Sequence, residues 1–594
     1  LYSIPQGRIA AAIRDLLAGL RGFASILYNL SLLQDLLPTD GQKLMTTLAA
    51  PAPDLRAWSS FILPPLLLII GSFVYYGLYF DVGFNFADEG NYAQFAYELF
   101  LGRDLGDLPV SYGVLWFKLG EGLFRVFGPD YALVRLVFFA SVLITSLLVY
   151  AALALATGHR RFAFAVALIP VLAPAFLPTA FYGLCVLLNA AAQIRLVKRG
   201  AAVRVGDAAL AGAALALSFQ IRPDFGYIFS VPLVFVLVLA AWRAVPEDRL
   251  RSMLRLTAGA LAGFALAHLP GLMVAVADGY LGVLIAQYLS YPAMLAGYGL
   301  RGLHSLFGGA SGGEATAQAA ALLQRPDVNI FAAPDVTSAR LALLVYLPPV
   351  IIAAFAVHAV LAYRQAADRL EHVGMSFVVF ATGAAALPHY FFYRPDLAHI
   401  ANFMPGYVVL AGLFAWKIAN ARRRLAGLIG CFVIAMSVGL YLWAAFTSEG
   451  TGSIAGTFGR TERFQAANGV DVRLYPGEKA QLEDLKSLIE AHSAPGDAII
   501  CVPYCPGIAF MTGRRLLFRE QYVDDALLLR EPDWLARASA LTQEARPPVV
   551  IVMDWAINGT DISRFSRWAA PYMDTLESLA RRKLERPNMT IYLL

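Results

Sequence analysis

Two adjacent carboxylates, Asp88 and Glu89, stand directly after a long apolar run, and further acids follow at Asp104 and Asp107. A carboxylate where water meets lipid can act as a general base that deprotonates a hydroxyl group. The same pair also opens a helix-spaced stretch through Tyr92, Phe95 and Leu99. There Asp88 as N-cap with Glu89 in the first turn is ordinary capping chemistry. The two readings are compatible, one residue acting while the other orients it. Asp88 and Glu89 are therefore the candidate acids for such chemistry.

Two Arg-Pro-Asp tripeptides accompany these acids, Arg222-Pro223-Asp224 and Arg394-Pro395-Asp396, the second within a run from His389 to His399. The planar guanidinium donates two parallel hydrogen bonds and keeps its charge, which suits it to phosphate. Near lipid an unpaired charge is so costly that a partner is close to obligatory. Each arginine pairing with its own aspartate, or capping a helix, is the local alternative. Arg394, Arg222, His399 and Tyr390 form the candidate phosphate-binding set, with His399 expected to pair with Asp396. Tyr92, Tyr112, Asp396 and Asp224 form the candidate substrate-binding set.

The elements that must position these residues are membrane helices. The chain has 594 residues, 58% hydrophobic and only 15% charged, where a soluble domain is about a quarter charged. About eleven apolar runs meet or approach the length of a span: Phe61–Phe80, Tyr131–Leu155, Phe162–Pro178, Phe181–Ile194, Ala208–Ile221, Phe225–Trp242, Leu256–Val276, Leu341–Tyr363, Met375–Leu387, Phe403–Trp416 and Leu425–Phe446. Basic clusters at 160–161, 195–204, 243–255, 364–369 and 417–424 fall on one side if every run crosses, and that side is expected to be cytoplasmic. The net charge of +5 is explained by these loops and calls for no nucleic acid. The Asp88 loop, the loop 277–340 and the C-terminal region are then extracytoplasmic. Both Arg-Pro-Asp sites lie on that face, where orientation does not require a basic residue.

Residues 1–58 read as an N-terminal amphipathic segment on the membrane surface, residues 59–447 as the transmembrane domain, and residues 448–594 as an extracytoplasmic α/β domain. In the last, DAIICVPY and PPVVIVMDW read as buried strands, and 482–491, 533–542 and 562–584 as helices, giving a partly parallel sheet. Cys185 and Cys431 sit in apolar runs as packing residues. Cys501 and Cys505 read as an unpaired core pair, with a disulfide as the other reading. The loop 277–340 reads equally as a lid over the site or as an interfacial helix with a long connection. The fold class is thus a polytopic α-helical membrane protein with a C-terminal α/β domain.

The pattern Asp88-Glu89-Gly90-x-Tyr92-Ala93, then Gly102, Asp107, Tyr112-Gly113, Phe127-Gly128 and Arg135-Leu136, resembles the first-loop pattern of the GT-C-type integral membrane glycosyltransferases. The similarity is to the broad family that includes protein O-mannosyltransferases and the aminoarabinose transferase acting on lipid A. Arg222-Pro223-Asp224 and Arg394-Pro395-Asp396-Leu397-Ala398-His399 add to it, and it covers roughly residues 61–446. One departure is Gly113-Val114, where the pattern more often has Gly-Pro. The resemblance implies an inverting glycosyltransferase of the bacterial inner membrane that takes a sugar from a polyprenyl phosphate. The acceptor would be a hydroxyl of a glycan, lipid or protein. It implies Asp88 as base, Arg394 helped by Arg222 at the leaving phosphate, and Glu89 or Asp107 positioning the acceptor or a metal. No cofactor is implied beyond a possible divalent ion. A transporter or flippase for a lipid-linked sugar or related phospholipid is the competing class, but it calls for broken helices, midplane charges and matching halves, which the sequence does not display.

Overall fold

The computed structural model describes residues 55–78, 80–107, 113–173, 179–289, 336–387, 397–420, 424–447, 454–525, 527–556 and 561–594. The expected N-terminal amphipathic segment, apart from its last residues, and most of the loop 277–340 lie outside them. The lid reading therefore falls mostly on undescribed residues, although 281–289 is helical.

Every span read from the sequence coincides with a helix: Leu55–Gly77, Tyr131–Thr157, Arg160–Leu172, Phe181–Arg199, Val205–Ile221, Pro223–Trp242, Arg249–Ala277, Val336–Ala362, Arg369–Ala384, Leu397–Ala419 and Arg424–Thr447. Seven helical stretches among the described residues are long and apolar enough to cross a membrane by length and composition, and Ile62–Gly77 and Val205–Ile221 are shorter apolar helices. Arg160–Leu172 and Arg369–Ala384 are shorter than a full span. The chain is a multi-pass membrane protein.

The basic loops gather at one end of the bundle. Arg243 bridges Asp368 at 2.7 Å and donates to the Val197 carbonyl, and Lys198 bridges Glu371 at 2.8 Å. His159 and Phe162 pack on Trp416. The helix Asp88–Phe100 and the α/β domain lie at the opposite end. Side chains facing outward from Leu425–Thr447 and Arg249–Ala277, such as Leu425, Leu428, Phe432, Leu261 and Leu266, are exposed and apolar, as lipid-facing positions must be.

The α/β domain begins with a hairpin, β1 (Glu462–Gln465) and β2 (Asp471–Leu474). Its main sheet holds β3 (Ala498–Val502), β4 (Arg515–Leu516), β5 (Val549–Met553), β6 (Arg582–Arg586) and β7 (Met589–Leu593) in the order β4-β3-β5-β7-β6. β3 runs parallel to both β4 and β5, and β7 is antiparallel to β5 and β6. Alternate residues of β3 and β5 face opposite layers. Ile499, Cys501, Val549 and Ile551 share a core with the helices Pro476–His492 and Pro506–Thr512, while Ile500, Val502, Val550 and Val552 pack with Trp534, Ala538, Tyr572 and Leu576. The two expected strands are β3 and β5. The expected helix over 562–584 is corrected: it ends at Leu579, and the chain turns back as the β6–β7 hairpin. The alternation of 582–593 is that of strands, but its charged outer half, Arg582, Lys583, Glu585 and Arg586, resembles an exposed helix face.

Cys501 and Cys505 form a disulfide, with Cα atoms 5.6 Å apart. This corrects the reading of an unpaired pair, and it fits an oxidising compartment. Cys185 is free and buried, and Cys431 is free and half-buried.

Candidate active site at the junction of the membrane helices and the α/β domain

The helix Asp88–Phe100 is the keystone of the junction, because it is buried on both sides. Its N-terminus is capped by Asn85, whose Oδ1 accepts from the backbone N–H groups of Ala87 and Asp88 at 3.1 and 2.9 Å. Asp88 is the first helical residue, not the cap. Its carboxylate instead accepts a hydrogen bond from the Tyr504 hydroxyl at 3.0 Å, across a sequence gap of more than four hundred residues. Asp88 stays half-buried.

Glu89 points the other way. It is fully buried, bridges Arg135 at 2.9 Å and accepts from the Tyr131 hydroxyl. Arg135, itself buried, also donates to the carbonyls of Phe80 and Gly83 at 2.7 and 2.6 Å. This cluster ties the loop 80–89 to the start of the helix Tyr131–Thr157. The sequence reading made Glu89 a candidate for contact with acceptor or metal; the structure makes it an anchor. Tyr92 is likewise not open to a substrate. Its ring packs against Trp116, Phe117, Phe138 and Phe181 at centroid distances of 5.2–5.9 Å.

The α/β domain clamps the rest of the helix. Glu98 is fully buried and accepts from the Leu516 N–H at 2.8 Å, from Arg515 at 3.2 Å and from Gln94 at 2.9 Å. Gln94 also donates to the Arg514 carbonyl, and Arg103 to that of Leu516. Gly90 meets Gly507 so closely that a Cβ on Gly90 would lie 2.5 Å from the Gly507 Cα, and the Gly507 N–H donates to the Phe86 carbonyl at 2.8 Å. Only glycine admits such an approach of two backbones. Below, Arg473 of β2 pairs with Asp81 at 2.7 Å and exchanges backbone bonds with Asp81 and Gly83.

The first Arg-Pro-Asp lies at the same end of the bundle. Arg222 Nε donates to both carboxylate oxygens of Asp224 at 2.8 and 3.0 Å, and its guanidinium donates to the Tyr182 hydroxyl and covers that ring at 4.3 Å. The local pair expected as the alternative is thus formed. Gly113 is pressed on the end of the preceding helix: its N–H donates to the Ile221 carbonyl, and a Cβ there would strike the Gln220 carbonyl. The first loop is therefore fixed directly beside Arg222.

Tyr112, Tyr390, Arg394 and Asp396 lie outside the described residues, as does the side chain of Asp107, whose backbone closes the short 3-10 turn Leu105–Asp107. His399 is half-buried near the start of the helix Leu397–Ala419. Among the described residues no group of three His, Cys, Asp or Glu side chains is placed to hold a metal ion. Sequence reasoning missed Asn85, Tyr131, Arg135 as the partner of Glu89, and Tyr504. Asn85, three residues before a helix-spaced run, was the one carrying a local signal; the others are brought in by tertiary contacts.

No known protein-family model matches the chain, and no curated protein matches it. Among solved structures it is similar to ArnT from Cupriavidus metallidurans bound to undecaprenyl phosphate, at 15% identity and a TM-score of 0.47, covering 90% of this chain and 97% of that one. It is similar also to the same protein in the apo state, at 13% identity and a TM-score of 0.47, covering 90% and 98%.

Proposed function

We propose that the protein is an inverting membrane glycosyltransferase that moves a sugar from a polyprenyl phosphate to a hydroxyl acceptor at the extracytoplasmic face. The observation that carries this reading is the carboxylate of Asp88, placed at the seam between membrane helices and α/β domain and relieved of capping by Asn85. A half-buried carboxylate at a helix N-terminus, steadied by the Tyr504 phenol, is equipped to take a proton from a bound hydroxyl. In the reaction the acceptor O–H gives its proton to Asp88 and its oxygen attacks the anomeric carbon. The bond from that carbon to the phosphate oxygen breaks on the opposite face, and the electron pair leaves with the lipid phosphate. Arg394 and Arg222 stabilise the charge growing on that phosphate. Arg222 is held ready by Asp224 and Tyr182, and Glu89 with Arg135 positions the loop that carries Asp88. The Cys501–Cys505 disulfide and the gathering of basic loops at the far end of the bundle support an extracytoplasmic site.

The test is mass spectrometry of surface glycans from a deletion strain complemented with wild type or with Asp88→Asn. The reading expects a glycan lacking one sugar in the deletion strain, restored by wild type and not by the variant. A deletion strain with an unchanged surface would overturn it.

A further inference from the structure

The parallel strands of the α/β domain end near Asp88, because Tyr504, just after β3, donates to its carboxylate. β3, β4 and β5 are parallel and end at the same edge of the sheet. From β3 the chain passes through the helix Pro506–Thr512 to β4 on one side. From β4 it passes through the helix Trp534–Ala545 to β5 on the other side of β3. The two helices belong to opposite layers. Strand order thus reverses between β3 and β5, and the carboxyl ends of strands at such a reversal leave a gap where ligands bind in open α/β sheets.

Three segments border this gap. Tyr504 follows β3, Gln521 and Tyr522 follow β4, and Trp555 follows β5. They are drawn together: the Val523 N–H donates to the Pro503 carbonyl at 2.9 Å, and the Tyr504 and Tyr522 rings meet edge to face at 4.9 Å. The membrane domain closes the remaining side. Tyr504 donates to Asp88, and Trp555 stacks on Phe86 at 5.6 Å with the rings 12° apart. Gln521 is only 5% exposed, yet among the described residues neither its amide oxygen nor its amide nitrogen has a hydrogen-bond partner, and the indole N–H of Trp555 has none either. A buried polar group left unsatisfied is costly. Tyr522, beside it, is 38% exposed.

We propose that this crevice is the acceptor site and that the acceptor it takes is a carbohydrate, an inference that rests on Asp88 being the base. A sugar ring supplies what the crevice lacks: vicinal hydroxyls that give and receive hydrogen bonds with the Gln521 amide and accept from the Trp555 indole, and C–H faces that lie on the Tyr522 ring. Tyr504, bonded to Asp88, orients the hydroxyl that will react. The α/β domain then selects the acceptor while the membrane helices hold the lipid donor.

The test uses the purified full-length protein in nanodiscs, with two probes: an array of bacterial surface oligosaccharides, and undecaprenyl phosphate. Wild type is expected to retain one class of oligosaccharide. Tyr522→Ala and Gln521→Leu are expected to weaken that retention about tenfold or more, with undecaprenyl phosphate binding unchanged. Gln521→Leu is also expected to keep or raise the thermal midpoint, since it removes two unpaired polar atoms, whereas a structural glutamine would lower it. Oligosaccharide retention that survives both variants, or its absence in a wild type that binds undecaprenyl phosphate, overturns the crevice and spares the transferase reading. Failure of wild type to bind undecaprenyl phosphate removes the reading beneath it.

Discussion

The surroundings of Asp88 and of Glu89 are opposites, although the two residues are neighbours on one helix. Below the helix, Glu89 spends its charge on Arg135 and Tyr131 in a fully buried cluster. Above it, at the seam with the α/β domain, Asp88 is half-buried and holds the Tyr504 hydroxyl. The lower region is tied down by several charge-assisted bonds, and the upper one keeps part of its surface exposed.

The most direct way to break the lower region is Arg135→Met. It strands the Glu89 carboxylate inside the protein, and removing one partner of a buried pair costs about 3–5 kcal/mol. The expected result is a large fall in thermal midpoint and little folded protein in the membrane. Replacing both partners by apolar residues should recover much of that loss, which a thermal melt of the double variant would check.

Gly90→Ala probes the seam. The added Cβ would meet backbone at Gly507, so the helix or the α/β domain must shift, and overpacking of this kind costs about 1–3 kcal/mol. We expect loss of transfer out of proportion to the fall in stability, read by comparing residual activity with the melt. Tyr504→Phe is gentler. It deletes the hydroxyl that donates to Asp88 and keeps the ring, and a hydrogen bond to a charged group is worth about 1.5–3 kcal/mol. It should slow transfer roughly tenfold or more, with the thermal midpoint nearly unmoved.

The smallest effect belongs to an ion pair outside both regions. Arg463 and Asp471 join β1 to β2 at 2.6 Å in the open, and exposed pairs contribute about 0–1 kcal/mol. The hydrogen bond from Arg463 holds the Asp471 carboxyl below its ordinary range. Its contribution is therefore complete above the ordinary aspartate pKa and is lost as pH falls through the lowered one. Asp471→Asn should barely change the melt at neutral pH, and the difference from wild type should vanish in acid.

Much of this architecture was legible in advance. Apolar runs with basic punctuation located the helices, since hydrophobicity and loop charge are local properties. The alternation within β3 and β5 located the central strands for the same reason. The β6–β7 hairpin was hidden by its charged outer face, and the Cys501–Cys505 bridge by a spacing that fits either state. At the candidate site, Asp88 and Arg222 were legible from residue type and position. The difference between Asp88 and Glu89 was not, because it depends on Arg135 and Tyr131 one helix later and on Tyr504 in another domain. Helical phase gives a hint: Glu89 shares a face with Tyr92, Ala93 and Ala96 of the buried core.

The comparison is tested most directly by measuring sugar transfer and thermal unfolding side by side for Asp88→Asn and Glu89→Gln. The account predicts that Asp88→Asn keeps the wild-type midpoint and loses about 10²–10⁴-fold in transfer rate, while Glu89→Gln loses stability first and activity in step with it. An Asp88→Asn protein that folds and transfers at the wild-type rate would contradict the account.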